Sequence, residues 1–318
     1  MTKPRRSAAG ALLTLTLAAC GGGGGGTVAL PELGARLADA ECAYEVRCGF
    51  FPDQATCVAA TPSNLAQVTA DVRTGKTIYD GAAASDCLAL IANLSCQASV
   101  TSDLESQRCL DAFKGTVAAG GACFSNEECV SERCSLGACD VGTACCAGAC
   151  AAAFPPIARG AACQIAQPGS ACVKGTSCQI DAAGVSATCQ PLVALGAPCS
   201  NFGDCVAGAE CQQDGTGGGT CARFPTTGHA CDLNRLPCDD ANEACDAATG
   251  LCAPRVSVGG ACQTTDACAL FAGCDAATLK CVAKNGVGGA CLTQDDCLGQ
   301  LSCSNGACAI APVAAVCS

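Results

Sequence analysis

The sequence predicts small disulfide-rich modules: an N-terminal α-helical unit stapled by disulfides, then six tandem four-cysteine repeats with short β-hairpins and little regular secondary structure. Three observations predict this fold class. The chain of 318 residues has 35 cysteines, and only 3% of its residues are aromatic. A four-residue motif that begins with glycine and ends with cysteine recurs after residue 117. Because large apolar side chains are scarce, disulfides are expected to supply stability that a hydrophobic core otherwise provides.

The first nineteen residues predict an export signal. Three cationic residues precede a twelve-residue apolar stretch that ends at Ala19, and this stretch is too short to require a membrane-spanning helix. It closes with Leu-Ala-Ala-Cys, whose cysteine is Cys20, and six glycines follow. This end resembles the lipobox of bacterial lipoproteins, and the resemblance implies that the Cys20 thiol is lipidated and becomes the mature N-terminus. A plain secretory signal that ends beside a cysteine is the alternative.

The chain is predicted to divide into four segments. Residues 1–19 form the signal peptide, 20–30 the lipidated cysteine with a flexible glycine-rich tether, 31–117 a helical six-cysteine domain, and 118–318 the cysteine-rich repeats. The glycine after Cys20 is, by the rule that the lipobox resemblance implies, compatible with sorting to an outer membrane. We therefore expect a lipid-anchored protein of the outer membrane or cell surface.

The cysteines are expected to form disulfides, because an exported chain meets an oxidising compartment. A metal-thiolate store is the competing interpretation. Zinc, iron–sulfur and thioredoxin-like sites use Cys-x-x-Cys pairs, and the sequence contains no such pair and only one histidine. We therefore predict neither a metal site nor a cofactor.

The helical unit is predicted from apolar residues that recur every three or four positions in four segments. Pro31 suits a first helical turn and Gly49 a C-terminal stop, while Ser102 and Glu105 form a capping-box pattern before the fourth segment. The apolar positions are Leu33, Leu37, Ala40 and Tyr44; Leu65, Val68 and Val72; Leu88, Ile91 and Leu94; and Leu110 and Phe113. Six disulfide candidates, whose pairing the sequence leaves open, lie here: Cys42, Cys48, Cys57, Cys87, Cys96 and Cys109.

Six repeats begin with Gly-x-Ala-Cys or Gly-x-Pro-Cys, at Gly120, Gly160, Gly196, Gly228, Gly259 and Gly288. Successive starts lie 29 to 40 residues apart, a period typical of stacked modules that are each too small to bury a face alone. The predicted quartets of disulfide candidates are Cys123, Cys129, Cys134 and Cys139; Cys163, Cys172, Cys178 and Cys189; Cys199, Cys205, Cys211 and Cys221; Cys231, Cys238, Cys245 and Cys252; Cys262, Cys268, Cys274 and Cys281; and Cys291, Cys297, Cys303 and Cys308.

Each module is expected to be a two-stranded ribbon with crossed disulfides, from the first to the third cysteine and from the second to the fourth. Closing a loop of about 15 residues stabilises a fold by about 3 kcal/mol in the chain-entropy account. The opening glycine suits a turn with positive φ. Residues 246–250 and 304–306 have the composition of hairpin tips.

Four cysteines fall outside these assignments: Cys145, Cys146, Cys150 and Cys317. A disulfide between the adjacent Cys145 and Cys146 would strain the backbone, so separate partners are expected. Cys317 lies in a tail rich in valine and alanine. It either staples this tail back onto the chain or pairs with another chain.

Residues 123–150 begin Cys-Phe-Ser-Asn-Glu-Glu-Cys-Val-Ser-Glu-Arg-Cys and end Cys-Cys-Ala-Gly-Ala-Cys. This stretch resembles the N-terminal cysteine-rich domain of Dickkopf-type proteins. An acidic residue precedes the second cysteine at Glu128, Asp204 and Asp296. The whole layout is similar to that of the cysteine-rich lipoproteins of myxobacteria. The resemblance implies a scaffold and no signalling activity, because the quartet spacing departs from the Dickkopf-type domain after Cys139.

Two patterns in the sequence have catalytic associations, and neither predicts an enzyme. Residues 70–77 fit a relaxed phosphate-loop pattern, but the preceding segment is predicted as helix and Ala70 replaces the first glycine, so we predict a helix end and a turn. His229 falls at an exposed turn of its module. A catalytic base would instead lie buried beside a nucleophile.

Charge restricts the partners. The formal net charge is −11, which opposes binding to nucleic acid and to anionic lipid, so membrane attachment depends on the lipid anchor. One carboxylate cluster lacks the alternating ligand order of an EF-hand loop and predicts a solvated acidic face; its members are Asp239, Asp240, Glu243 and Asp246.

Together these features predict a non-enzymatic, lipid-anchored cell-surface protein. Its modules form a stiff stalk or an interaction array for an unidentified extracellular or surface protein. The alternative is a secreted-type binder or protease inhibitor, since disulfide modules resist proteolysis. An exposed residue at the same position in several modules would favour this alternative, and in the sequence the variable loops show none.

Overall fold

A computed structural model describes most of the chain between residues 26 and 317. The described residues are 26–61, 65–97, 111–137, 145–153, 155–164, 172–173, 175–180, 186–200, 204–206, 208–213, 218–232, 237–311 and 316–317. Several sequence predictions lie outside them: the signal peptide, the lipidation of Cys20, the capping-box pattern at Ser102, and the disulfides of Cys109 and Cys139.

The described part of the helical unit contains α1 Leu30–Arg47, α2 Gln54–Ala60, α3 Ala66–Arg73 and α4 Gly81–Ala92. Pro31 lies in the first turn of α1, and Gly49 follows the helix with a φ of 75°, as the sequence predicted. The side chains of Asp53 and Asp80 cap α2 and α4 by accepting backbone N–H groups at 2.8 to 3.1 Å. None of the described helices is both long enough and apolar enough to cross a membrane.

The sequence prediction was wrong at two places in this unit. Helix α2 was not predicted, because seven residues are too few to show an apolar period. Phe113 was assigned to a helical segment but lies in strand β2 Phe113–Gly115, which pairs antiparallel with β1 Thr77–Tyr79. The rings of Phe113 and Tyr79 stand opposite each other with centroids 5.4 Å apart. Phe113 is therefore part of a cross-strand aromatic pair, and it does not lie on a helix as the sequence predicted.

The six modules consist of short antiparallel sheets of two or three strands, which confirms the predicted fold class. We number the modules 1 to 6 in the order of their opening glycines. The strands are β3 Ala122–Cys123, β4 Cys134–Leu136, β5 Gly148–Cys150, β6 Thr176–Ile180, β7 Ala187–Pro191, β8 Pro198–Cys199, β9 Ala209–Gln213, β10 Gly219–Arg223, β11 Glu243–Asp246, β12 Leu251–Pro254, β13 Ala272–Asp275, β14 Lys280–Ala283, β15 Ser302–Ser304 and β16 Ala307–Ala309. Short 3₁₀ turns lie at Asn126–Glu128, Thr265–Ala267 and Gln294–Asp296.

The hairpin tips lie where the sequence predicted them. Residues 247–250 join β11 to β12, and Asn305 and Gly306 join β15 to β16. Asn305 and Gly306 have φ values of 52° and 77°, the left-handed backbone that a two-residue hairpin turn requires. Each hairpin places its two cysteines opposite each other, as Cys303 and Cys308 do in module 6.

A turn with left-handed glycine opens every module, as predicted. The six opening glycines have φ values between 77° and 86°. In module 5, Gly260 N–H donates to the Ser257 carbonyl at 3.0 Å across the turn, and Gly259 N–H donates to the Cys281 carbonyl at 2.7 Å. The other five modules have the equivalent bonds. The opening turn is thus bonded to the returning strand, in a conformation that a residue with a Cβ rarely adopts.

The modules fold back onto the helical unit. Module 6 shares one core with it, in which Phe51 and the Cys42–Cys57 bridge pack with Leu298 and Leu301. In module 4, Ala241 N–H donates to the Cys96 carbonyl at 2.9 Å. Just before module 1, strand β2 pairs with β1, the strand that follows α3. These contacts place modules from both ends of the repeat region against the helices.

Candidate functional site

The disulfides of modules 2 to 6 join the first cysteine to the third and the second to the fourth, which confirms the crossed pairing. Their Cα–Cα distances, 5.6 to 5.9 Å, lie in the usual range. The hairpin carries the third and fourth cysteines on opposing strands. Each bridge therefore ties one of the preceding loops to one strand. The pairs are Cys163–Cys178, Cys172–Cys189, Cys199–Cys211, Cys205–Cys221, Cys231–Cys245, Cys238–Cys252, Cys262–Cys274, Cys268–Cys281, Cys291–Cys303 and Cys297–Cys308.

Module 1 departs from the predicted quartet. Cys123 pairs with Cys134 as expected, but Cys129 pairs with Cys150 in place of Cys139. The hairpin returns on β5, which sets Cys150 opposite Cys134. The chain between β4 and β5 is therefore longer than the equivalent loop of the other modules. Because the other modules lack this insertion, their cysteine spacing predicted the wrong fourth cysteine for module 1.

Cys145 and Cys317 form a disulfide that joins the loop of module 1 to the C-terminal tail. This bridge confirms that Cys145 does not pair with its neighbour Cys146, and it selects the stapled tail over a bridge to another chain. Gln67 of α3 holds the same tail, because its side chain accepts the Cys317 N–H at 2.6 Å and donates to the Cys317 carbonyl at 2.8 Å. The bridge and these bonds bring module 1, the tail and the helical unit to one place.

Groups of three cysteine sulfurs with metal-like spacing occur in the modules. In module 3, for example, the sulfurs of Cys199, Cys205 and Cys221 lie within 4.8 Å of one another. All three belong to disulfides. A metal-binding cysteine needs a thiolate, so the oxidised modules offer no such ligand at these positions.

The acidic residue before the second cysteine has a defined structural role. Its carboxylate accepts the N–H of the residue that follows the first cysteine, at 2.9 Å from Glu128, 3.0 Å from Asp204 and 2.7 Å from Asp296. These bonds hold the loop between the first two cysteines in the manner of a helix cap. They lower the pKa of Asp296, through the backbone N–H groups of Leu292 first and then Thr293.

Glu128 also connects module 1 to the helical unit. Its side chain is fully buried and forms an ion pair with Lys76, with 3.1 Å between Nζ and Oε1. The same ammonium lies 4.7 Å from the centroid of the Phe124 ring. Beside this pair, the buried Asp71 accepts hydrogen bonds from Ser125 Oγ at 2.9 Å and Gln67 Nε2 at 2.7 Å. We call Asp71, Lys76 and Glu128, with Gln67 and Ser125, the carboxylate seam.

Glu128→Ala is expected to lower the free energy of unfolding by about 2 kcal/mol, because it removes two charge-assisted bonds and leaves the Phe124 N–H without its acceptor. The partly exposed Lys76 can turn to water, which limits the loss. Urea unfolding without reductant measures the change. Asp296→Ala removes the equivalent loop acceptor in module 6, which binds the N–H groups of Leu292 and Thr293 but no ammonium. Because Asp296 is less buried than Glu128, its loss should have a smaller effect. Equal losses would contradict the role of the ion pair.

The phosphate-loop pattern lies at a helix end and a turn, as predicted. Helix α3 ends at Arg73, Gly75 has a φ of 77°, and β1 begins at Thr77. A phosphate loop requires the reverse order, from strand to turn to helix. Lys76, which would meet the phosphate, instead binds Glu128.

His229 lies exposed in the opening turn of module 4, as the sequence predicted. Its ring Nδ1 lies 3.3 Å from the Thr226 hydroxyl oxygen, and its carbonyl accepts the Cys252 N–H at 2.9 Å. The backbone of His229 is thus part of the bonded frame of module 4.

The predicted acidic face is divided among separate structural roles. Asp239 is buried with 7% exposure, which contradicts a solvated position for that residue. Asp240 accepts a backbone N–H at 2.8 Å, and Glu243 accepts the Thr227 hydroxyl. Asp246 accepts a backbone N–H at 2.9 Å in the hairpin turn, and such bonds lower its pKa. Most of these carboxylates therefore hold turns.

A groove of about 470 Å³ lies between modules 4 and 5. One wall is the β11–β12 hairpin, and the other is the first loop of module 5 with Leu279. Small apolar side chains line most of it, among them Ala244, Ala253 and Val256. Its size is in the range of small-molecule sites, but it contains few of the convergent polar groups that orient a ligand.

The structure defines a disulfide-rich array of tandem hairpin modules that fits an extracellular or secreted protein. No protein-family model, curated protein or solved structure matches the chain.

Sequence reasoning missed the residues that join the units. Phe51 showed no motif, and Asp71 and Lys76 were considered only as part of a phosphate-loop pattern. The acidic position at Glu128 was noticed as a repeated feature, but its contact across 52 residues has no signal in a single sequence. Such contacts depend on how finished modules pack together.

Proposed function

We propose that this chain is a non-enzymatic, lipid-anchored protein of the outer membrane or cell surface, whose modules form a protein-interaction array around the helical unit. The observation that carries the proposal is the oxidised state of the array, since every cysteine among the described residues is disulfide-bonded. Disulfides persist in exported proteins and are rare in reducing compartments. The lipobox-like end at Cys20 supplies the proposed anchor.

The packing of the modules supports an array over an extended stalk. A stalk requires modules that contact only their neighbours in sequence, as in a solenoid. Here module 6 shares a core with the helices, and the tail is bridged back to module 1. The chain therefore presents loops from several modules around one centre.

A recurrent apolar position supports protein binding. The residue before the opening glycine is Leu195, Val258 and Val287 in modules 3, 5 and 6, and these side chains are 44%, 48% and 51% exposed. Each lies in the opening turn, whose bonds to the returning strand hold it in place. Exposed apolar side chains on rigid turns are suited to contact a partner. The same observation favours the second candidate, a secreted-type binder or protease inhibitor.

The scaffold that the Dickkopf-type resemblance implies agrees with this proposal in its frame of paired cysteines, and no activity is transferred from it. The proposed partners are the membrane, through the anchor, and an extracellular or surface protein. Nucleic acid is not a proposed partner, because the net charge of −11 opposes it.

Metabolic labelling with a radioactive fatty acid tests the anchor. Cells that express the full chain should incorporate label into it, and the label should be lost in Cys20→Ser. Cys317→Ser is the matched control, because it also removes one cysteine but should keep the label. An unlabelled chain released into the medium would reject the lipid anchor and leave the secreted binder as the better assignment.

Crosslinking on intact cells tests the interaction array. The full chain should crosslink to a surface protein, and serine at Leu195, Val258 and Val287 together should reduce the yield. Serine at the exposed Val130, which lies outside the opening turns, is the control. An equal yield from both variants would remove the proposed role of the opening turns.

A further inference from the structure

The carboxylate seam holds an unbalanced set of charges in a buried place. Asp71 is 1% exposed and Glu128 is 0% exposed, while Lys76 supplies the ammonium that contacts Glu128. Two carboxylates and one ammonium leave one negative charge without a counter-charge. Burying such a charge is costly unless a proton neutralises it or hydrogen bonds compensate it.

The two carboxyl groups bind adjacent residues of one loop, because Ser125 Oγ donates to Asp71 at 2.9 Å and the Phe124 N–H donates to Glu128 at 2.9 Å. Burial first, and Glu128 through both hydrogen bonding and charge repulsion, raise the pKa of Asp71, while the bonds from Ser125 and Gln67 act in the opposite direction. One proton between the two carboxyl groups would leave a single carboxylate facing the single ammonium.

Among the described residues, no second cation forms an ion pair with either carboxylate of the seam. Arg73, in the last turn of α3, and Glu127, in the 3₁₀ turn of module 1, are both exposed to solvent. From the tail, the described contact is made by the main chain of Cys317. From the start of β1, Thr77 contributes a neutral hydroxyl that donates to the Glu127 carbonyl.

We propose that the Asp71–Glu128 carboxyl pair is a pH-sensitive contact between units that is stronger at acidic pH. One proton shared between the two groups holds α3, module 1 and the C-terminal tail together, and loss of that proton loosens them. The proton comes from solvent to an Asp71 oxygen and is donated in a hydrogen bond to Glu128, which keeps its ion pair with Lys76. Gln67 transmits the state of Asp71 to the tail, because the same amide contacts Asp71 and Cys317.

The stability of this carboxyl contact should change with pH in the opposite direction from the stability that capping carboxylates provide elsewhere in the chain. The folded seam binds a proton more tightly than an exposed aspartate does. Its contribution to stability is therefore fully present below the ordinary Asp pKa of 3.8 and is lost as pH rises through the raised value. Asp53, Asp80, Asp246, Asp275 and Asp296 have lowered pKa values. Their contributions are instead lost as pH falls, so a local measurement is needed.

Hydrogen exchange of the full chain, followed by mass spectrometry and corrected for the intrinsic exchange rate, gives this local measurement. Between pH 4 and pH 8, the opening of residues 66–73 and of the Cys317 segment should increase by about tenfold for each pH unit up to the raised pKa, and then level off. In Asp71→Asn, which carries no charge and can donate to Glu128, protection should be high and independent of pH. Asp275→Asn, in a distant hairpin turn, should keep the wild-type response at the seam.

If Asp71→Asn disrupts the packing at the carboxylate seam, the titration of Asp71 in the unsubstituted chain still tests the proposal. Carbon-13 detection of its carboxyl group should give a midpoint above 3.8. A midpoint at or below this value would overturn the proposal. It would also be overturned by exchange at α3 that does not change between pH 4 and pH 8, or by an unaltered response in a well-protected Asp71→Asn.

Discussion

Replacing Cys145 and Cys317 together by serine is expected to lower the free energy of unfolding by several kcal/mol. This bridge spans 172 residues, whereas the bridges within modules span 11 to 21. In the chain-entropy account, closing so long a loop is worth about 5 kcal/mol in a chain without other crosslinks. The other disulfides shorten the effective loop, so about 5 kcal/mol is the upper bound.

Denaturant unfolding under non-reducing conditions measures this loss. The double variant leaves no free thiol from the pair, so it cannot exchange with the other bridges. Cys205→Ser with Cys221→Ser is the matched control, since it removes a bridge of 16 residues whose core lies inside module 3. In the Cys145 and Cys317 variant, hydrogen exchange should rise at α3 while the module hairpins stay protected. An unchanged midpoint and unchanged exchange at α3 would show that Gln67 alone secures the tail.

The internal frame of a module was predictable because its determinants are local. The opening glycine, the spacing of cysteines and the hairpin tips lie within about thirty residues, and each has a direct conformational meaning, such as the positive φ at Gly259. The first quartet failed for a physical reason as well. An insertion between β4 and β5 moved the returning strand, so Cys150 took the position that regular spacing assigned to Cys139.

Contacts between units were not predictable in the same way. Asp71 and Lys76 meet the loop of module 1 because β1 and β2 pair across more than thirty residues, and the helical period had assigned Phe113 of β2 to a helix. Within α3, Asp71 reads as an ordinary polar position. Only the folded arrangement shows that it is buried against Ser125.

This arrangement changes how the disulfides can be understood. Within modules they replace a core, since most buried residues there are cysteines. Between units, we expect stability from a few larger residues, the carboxylate seam and the single Cys145–Cys317 bridge. The module frame is therefore expected to survive changes that loosen the packing between units, and the two kinds of stability can be separated by mutation.

Phe51→Ala is expected to lower the free energy of unfolding by about 3 to 5 kcal/mol, because it opens a cavity in the core shared by the helical unit and module 6. Phe51 is 3% exposed and packs with Leu298 and Leu301. Gly299 faces the ring so closely that a Cβ there would lie 2.6 Å from Cζ of Phe51. The backbone of module 6 is thus fitted to this aromatic side chain.

Phe50→Ala provides the matched control, since Phe50 is the adjacent residue and is 36% exposed. Its loss should cost less than about 1 kcal/mol. Urea unfolding gives the energies, and hydrogen exchange should show that Phe51→Ala exposes residues 298–301 while β15 and β16 stay protected by the crossed disulfides of module 6. If the two variants lost equal stability, or if the β15–β16 hairpin opened together with residues 298–301, the core between the units would not be a separate source of stability.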